Sequence, residues 1–311
     1  MSDSLKYMFR LPEHPFSGLS ICPRIDQTEA AAIVLGIPIA TPYPSVGTFA
    51  AKSPAAIRQA MRTDNLDHYD FEIEGSLLED AFGPVFDAGD LATDEVDFAG
   101  NRAAIVAAVR AILAAGAVPI VLGGDDSVPI PVLQAYEGQR PLTIVQIDAH
   151  IDWRDEVDGE RLGLSSNMRR AAEMEWVEQI IQVGMRHVGS ARRKEYEEAL
   201  EWGVDIITAQ QVFRQGVEGV IDLIPAETDV YIAFDCDSLD CSLMPAVMGP
   251  TPGGLSYWDV VEMIHGAAGR ANLVGFSLVE FAPERDPMGH AAHMAGRIAL
   301  NAVAAAARKR T

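Results

Sequence analysis

Acidic residues and one histidine recur directly after short apolar runs of this chain. The run 118–122 is followed by Gly-Gly-Asp-Asp-Ser, and the run 143–147 is followed by Asp-Ala-His-Ile-Asp. Two later runs lead into Asp-Cys-Asp and Leu-Val-Glu. The side chains concerned are Asp125, Asp126, Asp148, His150, Asp152, Asp235, Asp237 and Glu280. A set of carboxylates with one imidazole is typical of the side chains that bind a divalent metal ion.

The spacing within these motifs favours convergence of the side chains. Alternate residues of an extended segment point the same way, so Asp148, His150 and Asp152 can meet, as can Asp235 and Asp237. So many carboxylates cannot stay ionised together without compensation. Such a set suits Mn²⁺ and, less selectively, Mg²⁺, Zn²⁺ or Ni²⁺. Each residue alone could be a helix cap, a turn residue or a hydrogen-bonded histidine, and only their joint position predicts the metal site.

The apolar runs themselves predict the elements that position these residues. Seven runs nearly continuous in Val, Ile and Leu are typical of parallel strands buried on both faces: 32–36, 118–122, 143–147, 179–183, 204–207, 230–234 and 273–277. Helical patterns lie between or after them, at 100–115, 190–202, 257–271 and 289–308. This alternation predicts an α/β fold, a three-layer α/β/α arrangement around a central, mostly parallel sheet. Ligands bind beyond the carboxyl ends of such strands, where the acidic motifs lie.

Composition limits the classes of partner. The 311 residues are 49% apolar and show no linker, which predicts a single domain, 1–311, with residues 1–29 as an N-terminal extension packed on it. The formal charge of −21 is unfavourable for nucleic acids and anionic membranes and suits cationic small molecules or metal ions, although it also serves solubility alone. Three cysteines and the absence of a signal-peptide or membrane-span pattern lead us to expect a cytoplasmic protein.

Four ordered motifs resemble the ureohydrolase family, which includes arginase, agmatinase and related amidinohydrolases. The family signatures Gly-Gly-Asp-His-Ser, Asp-Ala-His-x-Asp and Asp-x-Asp-x-x-Asp read here as GGDDS, DAHID and DCDSLD, the last followed by a Pro/Gly-rich loop. The segment SLVEFAPERD is similar to the family's closing segment. The resemblance, which runs from about residue 30 to the C-terminus, implies an arginase-like fold. It also implies hydrolysis of an agmatine-like guanidino compound to an amine and urea, by a homotrimer or homohexamer.

The resemblance further implies two Mn²⁺ ions, with Ni²⁺ or another divalent metal as alternatives. One ion would be held by Asp126, Asp148, Asp152 and Asp235. The other would be held by Asp148, His150, Asp235 and Asp237. The resemblance assigns catalytic roles to Asp152, which would orient the nucleophile, and to Glu280, which would face the guanidinium group of the substrate.

Two departures from the family pattern keep other functions open. Asp126 stands where the family has His, and the segment 153–170 lacks the His-Gly pair of the family, so Ser165, Ser166 and Asn167 could bind substrate instead. A single-metal amide hydrolase or deacetylase of the same fold is one alternative, against which the acidic Glu280 argues. A non-catalytic subunit of a hetero-oligomer is another, against which the retained metal-ligand motifs argue.

We predict that Asp126 shifts the activity optimum to alkaline pH or changes the metal preference. An anionic ligand in place of a neutral one holds a hard cation more strongly and makes bound water less acidic. The variant Asp126→His should therefore shift the pH profile to lower pH or alter the metal dependence, measured by urea release across a pH series with Mn²⁺, Ni²⁺ and Zn²⁺. An unchanged profile together with an unchanged metal dependence would contradict this prediction.

Overall fold

A ten-stranded sheet forms the centre of the computed structural model, which describes residues 9–22, 24–188 and 191–309. Its strands are β1 (Phe9–Arg10), β2 (Ser20–Ile21), β3 (Ala32–Ile37), β4 (Val85–Leu91), β5 (Val118–Gly123), β6 (Leu142–Ile147), β7 (Val177–Met185), β8 (Asp205–Thr208), β9 (Asp229–Asp235) and β10 (Asn272–Val279). The order is β1-β4-β3-β5-β10-β9-β6-β7-β8, and β2 also pairs with β4. The pairing of β1 with β4 is antiparallel, whereas the other strand pairs are parallel.

Helices cover both faces of this sheet. They are α1 (Ser53–Met61), α2 (Phe98–Ala114), α3 (Pro129–Gln134), α4 (Asn167–Ala172), α5 (Arg193–Trp202), α6 (Ala209–Gln215), α7 (Glu218–Leu223), α8 (Tyr257–Arg270) and α9 (His290–Ala307). Alternate residues of β3 join different apolar clusters, because Val34 packs with α1, α8 and α9 whereas Ile33 and Leu35 pack with α2 and α3. The predicted three-layer α/β/α arrangement is therefore confirmed. The described residues include no helix that combines the length and apolar character needed to cross a membrane.

All seven predicted strands are present, as β3 and β5 to β10, but the apolar runs did not predict the two-residue strands β1 and β2 or the longer strand β4. A buried charge interrupts the apolar run of β4. Asp87 is fully buried and pairs with Arg58 of α1, with Nε–Oδ2 at 2.8 Å and Nη2–Oδ1 at 2.9 Å.

The four predicted helices correspond to α2, α5, α8 and α9. Helix α5 begins at Arg193, and Ser190, the predicted start, lies outside the described residues.

Four central strands end side by side and carry the acidic motifs. The register pairs Leu278 with both Leu122 and Phe234, and Phe234 with Ile147. The residues that follow these partners therefore leave the sheet at one level, in the spatial order β5, β10, β9 and β6. This alignment brings together motifs that lie more than 150 residues apart in the chain.

We predict that Gly124, at the end of β5, tolerates no side chain. A Cβ atom built there would lie 2.1 Å from the carbonyl oxygen of Pro38, a backbone atom that cannot move away alone. Gly124→Ala should lower the free energy of unfolding by about 1–3 kcal/mol, measured by urea denaturation of the metal-free protein. The matched control Gly219→Ala, in α7, meets nothing within 4 Å and should cause no loss. Equal unfolding midpoints for the two variants would contradict the prediction.

Candidate metal centre

The predicted ligand residues meet at the carboxyl ends of β5, β10, β9 and β6. The carboxylates are buried, with exposed fractions of 0–5% for Asp126, Asp148, Asp152, Asp235, Asp237 and Glu280. His150 differs, because 29% of its side chain is exposed. The site is therefore an acidic interior with one histidine on its open side.

Two groups of side chains in the described part of the chain have the geometry to hold a metal ion. Asp126, Asp148 and Asp152 offer ligand atoms within 4.8 Å of one another, and so do Asp148, His150 and Asp237. Asp148 belongs to both groups, so two cations held here would share it. Asp235 belongs to neither group, and its Oδ1 accepts the backbone N–H of Asp237 at 2.7 Å.

His150 lies between two carboxylates. Its Nδ1 is 3.1 Å from Oδ2 of Asp237 and 3.5 Å from Oδ1 of Asp148. Burial opposes the charged ring, but these carboxylates outweigh it and raise the pKa of His150 to about 12. A metal ion bound to this ring would have to displace its proton, because metal-ligating imidazole is neutral.

The other pKa shifts reflect crowding of negative charge. Burial, followed by repulsion from neighbouring carboxylates, raises the pKa values of Asp126, Asp152 and Asp235. Burial also acts to raise the pKa of Asp148, but the hydrogen bond and charge of His150 lower it. A buried set of this kind is stable in its ionised form only with cations among the carboxylates. Since carboxylates and one imidazole are suitable ligands for divalent metals, the residues present fit such ions.

Two of the site residues have left-handed backbone conformations. The φ angles are 44° for Asp152 and 67° for Glu280, a region in which non-glycine residues are uncommon and which costs about 1–3 kcal/mol. Hydrogen bonds hold Glu280 in place, because its N–H donates to the carbonyl of Gly124 at 2.9 Å and its Oε1 accepts the N–H of Asp126 at 2.9 Å. Such conformations persist where the surrounding structure enforces them, and they cluster at functional sites.

The two adjacent aspartates after β5 have different surroundings. Oδ1 of Asp125 accepts the backbone N–H of Ser127 at 2.9 Å and also the Ser127 hydroxyl. The backbone N–H of Thr41 donates to this hydroxyl at 2.8 Å, which ties the turn to the loop after β3. Asp126 instead belongs to a ligand group, and Nδ2 of Asn167 donates to its Oδ2 and, at 3.3 Å, to its carbonyl oxygen. Asp125 thus supports the turn, while Asp126 faces the other ligands.

The segment predicted to contact substrate packs against Asp126. Ser165, Ser166 and Asn167 are buried at the junction of a 3₁₀ turn (Leu164–Ser166) with α4. Oγ of Ser166 and Oδ1 of Asn167 have no hydrogen-bond partner among the described residues. Buried polar atoms are rarely left without a partner, so these two atoms are candidates for hydrogen bonds to a bound molecule.

Arg186, directly after β7, holds the segment that follows β9. Its guanidinium group donates to the carbonyl oxygens of Asp237, Ser238, Leu239 and Thr251 at 2.7–3.1 Å. These bonds hold the backbone of the Asp-Cys-Asp turn in place. The cation is therefore hydrogen-bonded to neutral carbonyls next to the carboxylate cluster.

Sequence reasoning missed two buried glutamines beside the site. Nε2 of Gln146 donates to Oδ2 of Asp148 at 2.6 Å and to Oδ2 of Asp152 at 2.9 Å. Gln182 of β7 is paired in register with Gln146 and donates to its Oε1 at 2.6 Å. A signal was present, because both are polar residues in apolar runs and Gln146 precedes Asp148 by the two residues that place side chains on one face.

Comparisons with known proteins agree with this arrangement. A family model described as the arginase family matches residues 30–305. The agmatinase of Pyrococcus horikoshii is 31% identical over 270 residues, which cover 85% of this chain and 88% of that protein. The N(1)-aminopropylagmatine ureohydrolase of Thermococcus kodakarensis is 30% identical over 270 residues, which cover 85% of this chain and 86% of that protein. The solved structure of the agmatine ureohydrolase of Thermoplasma volcanium is 27% identical in sequence and superposes with a TM-score of 0.77. The match covers 98% of this chain and 97% of that chain.

We predict that Asp126 lowers the stability of the metal-free protein and increases its stabilisation by metal. Asp126→Asn removes one of several repelling buried charges, so it should raise the free energy of unfolding in EDTA by on the order of 1 kcal/mol. The same variant should lose most of the stabilisation that Mn²⁺ gives the unsubstituted protein, because a neutral amide oxygen replaces an anionic ligand. Urea denaturation with EDTA and with Mn²⁺ measures both effects.

Glu178→Gln is the control, since it removes one negative charge from an exposed position of β7. This variant should change neither the free energy of unfolding in EDTA nor the stabilisation by Mn²⁺. A loss of stability in EDTA for Asp126→Asn, larger than that of the control, would instead assign Asp126 to the structural framework.

Proposed function

The chain belongs to the arginase family, and from this premise we propose that it hydrolyses a small cationic guanidino compound, such as agmatine, to an amine and urea at a binuclear metal centre. The observation that carries the proposal is the position of Asp148 in two ligand groups. The buried carboxylate of Glu280 lies against one of these groups through the N–H of Asp126. The acidic site suits a cationic substrate.

The proposed metals are two Mn²⁺ ions, with Ni²⁺ as the alternative. We assign Asp126, Asp148, Asp152 and Asp235 to one ion, and Asp148, His150, Asp235 and Asp237 to the other. The geometry of the two ligand groups supports three ligands of each set, and Asp235, buried beside them, is the fourth by resemblance to the family. When bound, such ions supply an activated water near neutral pH and stabilise the charge that develops during its attack.

Glu280 and Asp152 have the proposed catalytic roles. Glu280 holds the guanidinium group by a charge-assisted hydrogen bond, and its constrained backbone supplies orientation. Asp152 orients the attacking water and carries a proton toward the leaving amine. Its Oδ2 is already fixed by Gln146, so the side chain does not have to reorganise during the reaction.

Ser165, Ser166 and Asn167 are the proposed substrate-binding residues of the segment that lacks the family histidine. The unpartnered Oγ of Ser166 and Oδ1 of Asn167 support this role, because N–H groups of a guanidino substrate would satisfy them. Asn167 also connects the substrate to the metal centre through its bond to Asp126.

The organisation and location of the chain are also proposals. We propose a single domain, 1–311, with residues 1–29 as an extension packed on it. Residues 1–8 and 23 lie outside the described residues, and the pairing of β1 and β2 with β4 supports the packing of the described part. A cytoplasmic location fits the three free cysteines. Assembly as a homotrimer or homohexamer rests on the family resemblance.

Metal content per chain followed by a urea-release screen tests the proposed function. The protein is purified with Mn²⁺ and desalted, its metal is measured by elemental analysis, and agmatine, guanidinobutyrate, guanidinopropionate and arginine are assayed. About two metals per chain with urea release from a guanidino compound is the expected result. One metal without urea release would favour the single-metal amide hydrolase, and no metal would favour the non-catalytic subunit.

We predict that Glu280→Gln weakens substrate binding without removing metal. Loss of the carboxylate charge should lower kcat/KM by about 10- to 100-fold, mainly through KM, since a hydrogen bond to a charged group contributes about 1.5–3 kcal/mol. The control Glu284→Gln lies four residues further along and pairs with Lys52 on the surface, so it should leave kcat/KM unchanged. Equal effects of the two substitutions would show that Glu280 does not contact the substrate.

A further inference from the structure

A chain of two buried glutamine amides leads into the carboxylate cluster. Gln146 is 1% exposed and Gln182 is fully buried. Nε2 of Gln182 donates to Oε1 of Gln146 at 2.6 Å and to the carbonyl of Ile151 at 2.8 Å. Nε2 of Gln146 then donates to Asp148 and Asp152, so three hydrogen bonds connect β7 to two carboxylates.

The contacts determine the orientation of both amides. Rotating Gln146 by 180° would place its oxygen against the carboxylates of Asp148 and Asp152 and its nitrogen against a donor. Rotating Gln182 would place its oxygen against two acceptors, Oε1 of Gln146 and the carbonyl of Ile151. Each amide nitrogen has two hydrogens, and in both residues both hydrogens are used. The pair therefore has one arrangement in which every amide N–H is paired, while Oε1 of Gln182 has no partner among the described residues.

We propose that Gln146, oriented by Gln182, is a positioning residue that sets the rotation of Asp148 and Asp152 for metal binding. This inference rests on the proposed function, because it assigns both carboxylates to the metal centre. Asp148 is the residue shared by the two ligand groups, and Asp152 belongs to one of them. One amide thus fixes the ligand common to both metal positions relative to a second ligand.

The chemistry of an amide suits this position. An Arg or Lys side chain there would neutralise the carboxylates and compete with a metal ion for them. The amide supplies two N–H donors without a positive charge, so the carboxylates are oriented and remain anionic. The bond from Gln182 to the carbonyl of Ile151 also holds the backbone next to Asp152, whose φ angle is 44°.

The test is the Mn²⁺ affinity of Gln146→Leu, which keeps the approximate size of the side chain and removes both donors. Kd, measured by titration calorimetry of the apoprotein, should rise by about 10- to 100-fold, the usual effect of losing a residue that orients a metal ligand. Gln146→Asn, which keeps a neutral amide on a side chain one methylene shorter, should recover part of the affinity.

Gln179→Leu is the matched control. Gln179 lies in β7 three residues before Gln182, and its amide bonds to Asp205 and Leu223 outside the site. The same substitution there should lower stability without changing the Mn²⁺ Kd. A Kd for Gln146→Leu within twofold of that of this control would overturn the proposal.

Gln182→Leu separates positioning from packing. Because Gln182 acts through Gln146, its replacement should weaken Mn²⁺ binding less than Gln146→Leu does, and the double variant should bind no more weakly than Gln146→Leu alone. If the double variant weakened Mn²⁺ binding by the product of the two single effects on Kd, Gln182 would not act through Gln146. Should Gln146→Leu fail to fold, the unbranched variant Gln146→Met and Gln182→Leu still decide the question, because unchanged Kd values in both would exclude positioning.

Failure of this inference differs from failure of the proposed function. Metal binding without urea release would contradict the proposed reaction, while the Kd series would still test Gln146. Urea release with a Kd that does not depend on Gln146 would contradict only the role of the glutamine. If the unsubstituted protein bound no metal, both would be overturned.

Discussion

Mutual repulsion among buried carboxylates is the constraint on which the rest of this structure depends. Parallel strands place their carboxyl ends at one edge, and here four neighbouring strands deliver acidic side chains to the same depth. Burial raises the free energy of every ionised group, and proximity raises it further. The surrounding residues therefore have to hold the carboxylates in place without removing the negative charge that a cation requires.

Neutral hydrogen-bond donors meet that requirement. Asn167 donates to Asp126, Gln146 donates to Asp148 and Asp152, and a backbone N–H donates to Glu280. The nearby guanidinium group of Arg186 bonds to carbonyl oxygens of the backbone. The positive charge of Arg186 thus shapes the loop after β9, while amides orient Asp126, Asp148 and Asp152.

The sequence was most informative where a residue's environment is local. Asp148, His150 and Asp152 follow a mostly apolar run, so strand, strand end and ligand motif could all be inferred from one segment. Strand β4 was missed because Asp87 interrupts its apolar run, and its partner Arg58 lies on a helix 29 positions away. Asn167 was predicted for its chemistry, but its contact with Asp126 joins segments 41 residues apart. Such contacts depend on tertiary packing, which periodicity does not encode.

The uneven exposure of the site gives its two ligand groups different access. Asp126, Asp148 and Asp152 are all enclosed, whereas the group containing His150 has an open side. If two ions bind as proposed, the ion at the group containing His150 would be the more accessible to solution. The ion at Asp126, Asp148 and Asp152 would then exchange more slowly. A chelator would accordingly remove metal from such a centre in two kinetic phases.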